Sequence, residues 1–267
     1  MPVDLDELAA DLAAETAELL ALVAPLDDAG WATPTPAPGW SIQDQISHLA
    51  YFDEAATTAA TDSDAFQAEL AAALADPDGI TERIARRGRE MTSTAVLDWF
   101  TSARAAMVAT FLELDPSARV PWYGPPMSVA SSLTARIMET WAHGQDVADA
   151  LGATRSPTRA LQQVAYLGVR TLGFSFTTRG LDPPDAPVFV SLHAPDGTTW
   201  TWGDSDAADR VEGPALDFAL VVTQRRHVDD TGLGVHGPVA AQWMAIAQAF
   251  AGPPGEGRAP TRAVAGP

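Results

Sequence analysis

Glu139-Thr140-Trp141-Ala142-His143-Gly144-Gln145-Asp146 sets three polar side chains, Glu139, His143 and Asp146, at i, i+4 and i+7. On an α-helix these positions share one face. The stripe extends back through Arg136 and Ser132 and runs beside the apolar positions Leu133, Ile137 and Val147. The pattern predicts a largely buried helix over residues 128–151, stopped by Gly152. A carboxylate and an imidazole on a buried helix need partners, because unpaired ionisable groups are costly to bury. A shared metal ion is one solution. A few acid–histidine pairs at this spacing also arise by chance in a chain with five histidines and 35 acidic residues, so the pair alone decides little.

Working outward, Ser41-Ile42-Gln43-Asp44 is a capping-box pattern that opens another helix. Its apolar positions are Ile42, Ile46, Leu49 and Phe52, and His48 precedes Phe52 and Ala55 by four and seven residues. In an up-and-down bundle, that helix can bring His48 toward Glu139 and His143 as a third ligand. Helices are also predicted over 4–24, 63–75 and 92–114, and from a Ser156-Pro157 cap to about Phe176. Between them lie the proline-rich connector Trp31–Trp40, the turn Asp76-Pro77-Asp78-Gly79 and the aromatic loop Pro121–Pro126.

The pattern changes near Asp182–Asp185. Val188, Val190 and Leu192 alternate with Phe189, Ser191 and His193, which is strand periodicity, and Thr198–Trp202 follows the turn Pro195-Asp196-Gly197. A strand over Asp209–Glu212, helices over 214–224 and 238–250, and the short segment Gly232–His236 complete a small α+β module. The expected organisation is therefore a helical bundle over 1–180, a small α+β domain over 185–252 and a disordered tail over 253–267.

Composition narrows the chemistry. The 267 residues carry a formal net charge of −19, which disfavours nucleic acid and anionic membrane surfaces as partners. No run of 18 apolar residues occurs, and acidic Met1–Asp6 lacks the basic region of a secretory signal, so a cytoplasmic location is expected. With no cysteine, the chain has no disulfide, thiolate nucleophile or Cys-ligated metal. With no lysine, it has no Schiff-base or Walker A chemistry. Any imidazole ligand or base comes from His48, His143, His193, His227 or His236.

Pro38-Gly-Trp-Ser-Ile-Gln-Asp-Gln-Ile-Ser-His48-Leu49 resembles the GW(S/T)-x2-(D/E)-x3-H-L entry to the second helix of DinB-like four-helix-bundle proteins. Glu139-x3-His143-x2-Asp146 resembles the fourth-helix motif of the mycothiol-dependent maleylpyruvate isomerase branch. Together the two motifs imply a mainly α fold, a DinB-like up-and-down four-helix bundle followed by a smaller C-terminal α+β domain. They also imply His48, Glu139 and His143 as ligands of a divalent ion, usually Zn2+, with Asp146 supporting a ligand from behind. Val211–Arg225 resembles the G-x3-D-x(6–7)-R helix of that family's sterol-carrier-protein-like domain. There an arginine acts at the active site, which implies Arg225 as a clamp for a substrate carboxylate. This chain reads Gln224-Arg225-Arg226 where the family has Gly-Arg, so Arg226 is a second candidate.

The resemblance implies an isomerase or S-transferase in which the metal activates the thiolate of mycothiol, or of a similar small thiol, toward a small electrophile. Two other readings stay open: a hydrolase using metal-bound water, and a non-catalytic metal- or ligand-binding module. Either a monomer or a homodimer is compatible with the sequence.

Overall fold

The structure is a computed structural model that describes residues 4–76 and 79–261. Its contacts divide the chain between Arg155 and Ser156 into two compact units.

The first unit holds α1 (Leu5–Val23), the short α2 (Asp28–Trp31), α3 (Ile42–Thr61), α4 (Ser63–Ala75), α5 (Gly79–Arg89) and α6 (Ser93–Leu112). A small hairpin of β1 (Arg119–Val120) and β2 (Met127–Ser128) leads into α7 (Val129–Leu151). Helices α1, α3, α6 and α7 form the expected four-helix bundle, with α3 packed on α6 and α7, and α1 on α7. Local chemistry sets the helix ends. Asp4 accepts from the Asp6 and Glu7 amides, Thr92 caps α6 and Ser128 caps α7. Both halves of the Ser41/Asp44 capping box are present, and α7 ends at Gly152 with φ 62°. The apolar faces meet in a core that includes Leu19, Ile42, Ile46, Leu49, Phe100 and Val147.

One buried guanidinium ties the four helices together. Arg104 of α6 donates to Asp53 Oδ2 of α3 (2.7 Å), Thr16 Oγ1 of α1 (2.6 Å) and Thr140 Oγ1 of α7 (3.0 Å). The planar fork reaches three acceptors at once, which a lysine ammonium on the same stem would match poorly.

Helix α5 was not expected from the sequence. It is rich in arginine and buries only Ile84, Ala85 and Gly88. Gly88 lets it lie close on α3, since a Cβ there would meet Ser47 Oγ at 2.0 Å. The Gln43 amide of α3 donates to Gly88 O (2.8 Å). In the expected turn before α5, Pro77 and Asp78 lie outside the described residues, while the Gly79 amide does reach Asp76 O (3.2 Å).

The second unit comprises α8 (Leu161–Arg170), α9 (Leu172–Thr177), β3 (Val188–His193), β4 (Thr199–Trp202), β5 (Asp209–Pro214), α10 (Ala215–Val222), β6 (Gly234–His236) and α11 (Pro238–Ile246). The sheet order is β4-β3-β5-β6, with β3 and β5 parallel and the other pairs antiparallel. Three details differ from expectation. Ser156-Pro157 does not cap a helix; α8 starts at Leu161, after Ala160, without a side-chain cap. Residues 156–180 cluster with the second unit rather than the first. The reason is close packing of α8 on α10, where a Cβ at Gly168 would meet Val222 Cγ2 at 2.8 Å and Phe218 Cε1 at 2.9 Å. Finally, the tail is anchored as far as residue 261. Arg179 Nη2 donates to Gly255 O (2.7 Å), and the Thr261 amide donates to Asp230 Oδ2 (2.8 Å). Residues 262–267 of the expected disordered tail lie outside the described residues.

Candidate metal centre

His48 on α3 and Glu139 and His143 on α7 bring their side chains together in the first unit. Glu139 Oε2 lies 3.2 Å from His143 Nε2 and 3.7 Å from His48 Nε2. One ligand atom from each residue falls within 4.8 Å of the others, and no second group of this kind occurs among the described residues. Donor atoms around a tetrahedral zinc sit about 3.3 Å apart for bonds of about 2.0 Å, so the observed separations suit one small ion. The side chains are 17%, 18% and 11% exposed for His48, Glu139 and His143, which leaves the convergence point approachable.

A hydrogen-bond relay fixes which nitrogen His143 offers. The Thr35 hydroxyl donates to Trp40 O (2.9 Å), so its lone pairs accept from Gln45 Nε2 (2.9 Å). That turns Gln45 Oε1 to His143 Nδ1, which must carry hydrogen to donate. Nε2 then presents a lone pair toward the lone pairs of Glu139 Oε2. Two acceptors facing each other need a shared cation, either a proton or a metal. This donor set of two imidazoles and one carboxylate fits a divalent ion such as zinc. The relay is itself braced by the connector. The Thr35 amide donates to Trp40 O (2.7 Å), the Ile42 amide to Thr33 O (3.0 Å), and Pro34 bridges Ser41.

The electrostatics favour ligand-ready forms. Burial, and secondarily the neighbouring His143, push His48 down to about 4, so its ring is neutral at pH 7. Burial opposes ionisation of Glu139, but the two facing imidazoles and the charge of Arg136 outweigh it and hold the carboxyl well below its ordinary range. His48 Nδ1 is buried without a hydrogen-bond partner. Aromatic rings flank the two imidazoles. Trp40 lies 5.9 Å from His143, nearly parallel to it, and 5.2 Å from His48, while Phe52 lies 4.6 Å from His48 on another side.

Of the residues expected at the site, His48, Glu139 and His143 converge. Asp146 is buried on α7 one turn beyond His143, and Gln45 faces His143 Nδ1. Arg225 follows α10 in the second unit. Gln224 takes the left-handed conformation, with φ 62°. Arg225 Nη1 donates to Thr223 O and Arg226 Nη1 to Arg225 O, both at 2.6 Å, so both cations satisfy carbonyls at a helix end. Gln45, Thr35 and Trp40 were not singled out from the sequence as site residues. The signal was their position: two lie inside the quoted Pro38–Leu49 motif and one just before it.

Residues 12–148 match the family described as the mycothiol maleylpyruvate isomerase N-terminal domain, about half of the chain. The chain belongs to that family. The family's match spans His48, Glu139 and His143 together. Residues 184–233 match a second family, described as wyosine base formation. Uncharacterized proteins from two strains of Mycobacterium tuberculosis are 47% identical over 249 residues, covering 93% of this chain and 97% of theirs. The fold is that of the mycothiol-dependent maleylpyruvate isomerase crystal structure, with a TM-score of 0.59 at 17% identity over 87% of this chain and 92% of that one. A mutant of that enzyme gives 0.57 at 16%. No helix among the described residues is long and apolar enough to cross a membrane.

Proposed function

We propose that this family member is a metal-dependent, thiol-using isomerase or S-transferase that acts on small electrophiles in the cytoplasm. The observation that carries the reading is the convergence of His48 Nε2, His143 Nε2 and Glu139 Oε2 on one point. The solved neighbour is a mycothiol-dependent enzyme, and a thiol of this kind would supply the sulfur that a chain without cysteine lacks.

The residues have separable roles in this reading. His48, Glu139 and His143 hold a divalent ion, most simply Zn2+. An ion held by two imidazoles and one carboxylate keeps about one net positive charge and open positions, and it lowers the pKa of a thiol that joins it. Gln45 keeps the His143 lone pair on Nε2. Trp40 and Phe52 exclude water from the sides of the imidazoles. Asp146 supports α7 behind the ligands, and Arg225 is the candidate clamp for a substrate carboxylate.

Elemental analysis of the purified protein tests the reading directly. About one divalent ion per chain is expected, with loss of that ion in His48→Ala and Glu139→Ala. Wild-type protein that stays metal-free after zinc supplementation would sink it. Calorimetric titration with mycothiol then separates the thiol enzyme from a hydrolase. Binding that disappears on chelation supports the thiol enzyme, whereas turnover of test esters without thiol binding supports hydrolysis.

A further inference from the structure

The aromatic loop Pro121–Pro126, between β1 and β2, has little backbone to hold it. Pro121, Pro125 and Pro126 carry no N–H, and the tip from Gly124 to Pro126 is exposed. Among the described residues, one hydrogen bond ties this loop to a helix: the Tyr123 hydroxyl donates to Glu69 Oε1 of α4. The same oxygen accepts the Tyr51 hydroxyl of α3 (2.6 Å). Two phenols from different elements thus meet on one carboxylate. Burial, and next the bond to Glu69, push the Tyr51 hydroxyl up to about 12 and raise that of Tyr123 as well, so both donors keep their hydrogen at neutral pH.

A chain of rings runs from this clasp to the candidate ligands. Tyr123 meets Phe52 edge-on at 5.5 Å, and Trp122 lies 6.1 Å from Phe52 while stacking on Phe66. Phe52 in turn lies 4.6 Å from His48, so it is the shared neighbour of the ligand and the loop. The Arg136 guanidinium of α7 lies 5.8 Å from both Phe52 and Trp122, so the loop reaches both helices that carry ligands. Glu69 also has room to leave. With Tyr51, Glu54, Thr58 and Arg87 it lines a polar cavity of about 440 Å³ between the helices, large enough for water to receive the carboxylate. Once it leaves, the loop is held to the bundle by ring packing alone.

We propose that Glu69 is a positioning residue that acts through Tyr51 and Tyr123: it clasps the loop 121–126 over Phe52 and so governs how readily a small molecule reaches the His48 ring. The inference rests on the reading of His48 as a site residue and adds a means of regulating access to it. Closed, the two phenols share Glu69 and the rings of Phe52, Trp122 and Tyr123 pack together. Open, Glu69 turns into the polar cavity, the loop loosens, and the Phe52 side of His48 is uncovered.

Diethyl pyrocarbonate, a small reagent for neutral imidazoles, tests the clasp on full-length, chelated protein, with each histidine followed separately by peptide mass spectrometry. Glu69→Leu should speed modification of His48 about tenfold, the factor that one hydrogen bond to a charged group supports. Glu69→Gln should stay near wild type, because its amide oxygen still accepts from the phenols. Tyr123→Phe keeps the ring but loses the loop's bond, so it should react as Glu69→Leu does, and it carries the test if Glu69→Leu does not fold. His193, His227 and His236, all in the second unit, serve as the internal reference and should not change. An unchanged His48 rate, equal rates in the two Glu69 variants, or a rise shared by the three reference histidines would overturn the proposal. Access is read on chelated protein and metal content on zinc-supplemented protein, so the clasp and the metal reading can fail independently.

Discussion

Gln45 of α3 turns its amide oxygen to Nδ1 of His143 on α7, joining two residues 98 positions apart. Because Gln45 also donates to Thr35, its amide cannot flip without losing both bonds. Replacing Gln45 with leucine keeps the bulk and removes the relay. Metal affinity is expected to fall about 10- to 100-fold, the usual range for loss of a group that orients a ligand. Chelator competition measures the affinity, and ¹⁵N shifts of the His143 ring report its tautomer. Unchanged affinity would show that the relay does not orient the ligand.

His48 gives the metal-free protein a defined acid response. Its folded pKa, about 4, is below the ordinary 6.5, so the native state favours the neutral ring. The stabilisation is complete above about pH 6.5 and is lost as pH falls through the window down to about 4. Denaturant unfolding of chelated protein should show declining stability across that window, and His48→Gln should flatten the decline. NMR titration of the His48 ring near 6.5 would contradict the assignment.

Arg104 joins all four bundle helices, so its loss should be felt globally. Arg104→Met leaves Asp53 buried without its closest cation and is expected to cost about 3–5 kcal/mol. Urea unfolding followed by far-UV circular dichroism checks this. A cost below about 1 kcal/mol would mean that Arg136 takes over the charge of Asp53.

Gly168 separates the two units experimentally. Alanine there drives a methyl into Val222 and Phe218, at a cost of about 1–3 kcal/mol through overpacking of α8 on α10. Hydrogen exchange should show the loss in residues 156–261 while metal content stays at its wild-type value.

Much of the bundle was legible because its signals are local. The Ser41/Asp44 capping box, the Gly152 stop and the apolar faces of α1, α3 and α7 each lie within a few residues. Helix α5 was missed because Gly79–Arg89 offers few apolar positions, and its place on α3 depends on the absence of a side chain at Gly88. The start of the second unit was placed too late for a similar reason. Residues 161–177 have helical periodicity, but only the close approach at Gly168 shows which unit they join. The ligand triad was implied by the family resemblance of two sequence motifs, not by residue types and spacing alone. The relay through Gln45 was not implied, because a glutamine in a helix becomes a site residue only when a distant imidazole faces it.

The folded-back connector from Thr33 to Ile42 has a consequence for how the proposed ion would be held. It closes through contacts no more than nine residues apart, so its closure costs little chain entropy and involves no residue of α7. Two of the three ligands reside on α7, more than ninety residues later. An ion bound as proposed needs α3 and α7 docked together, since α3 alone offers a single imidazole.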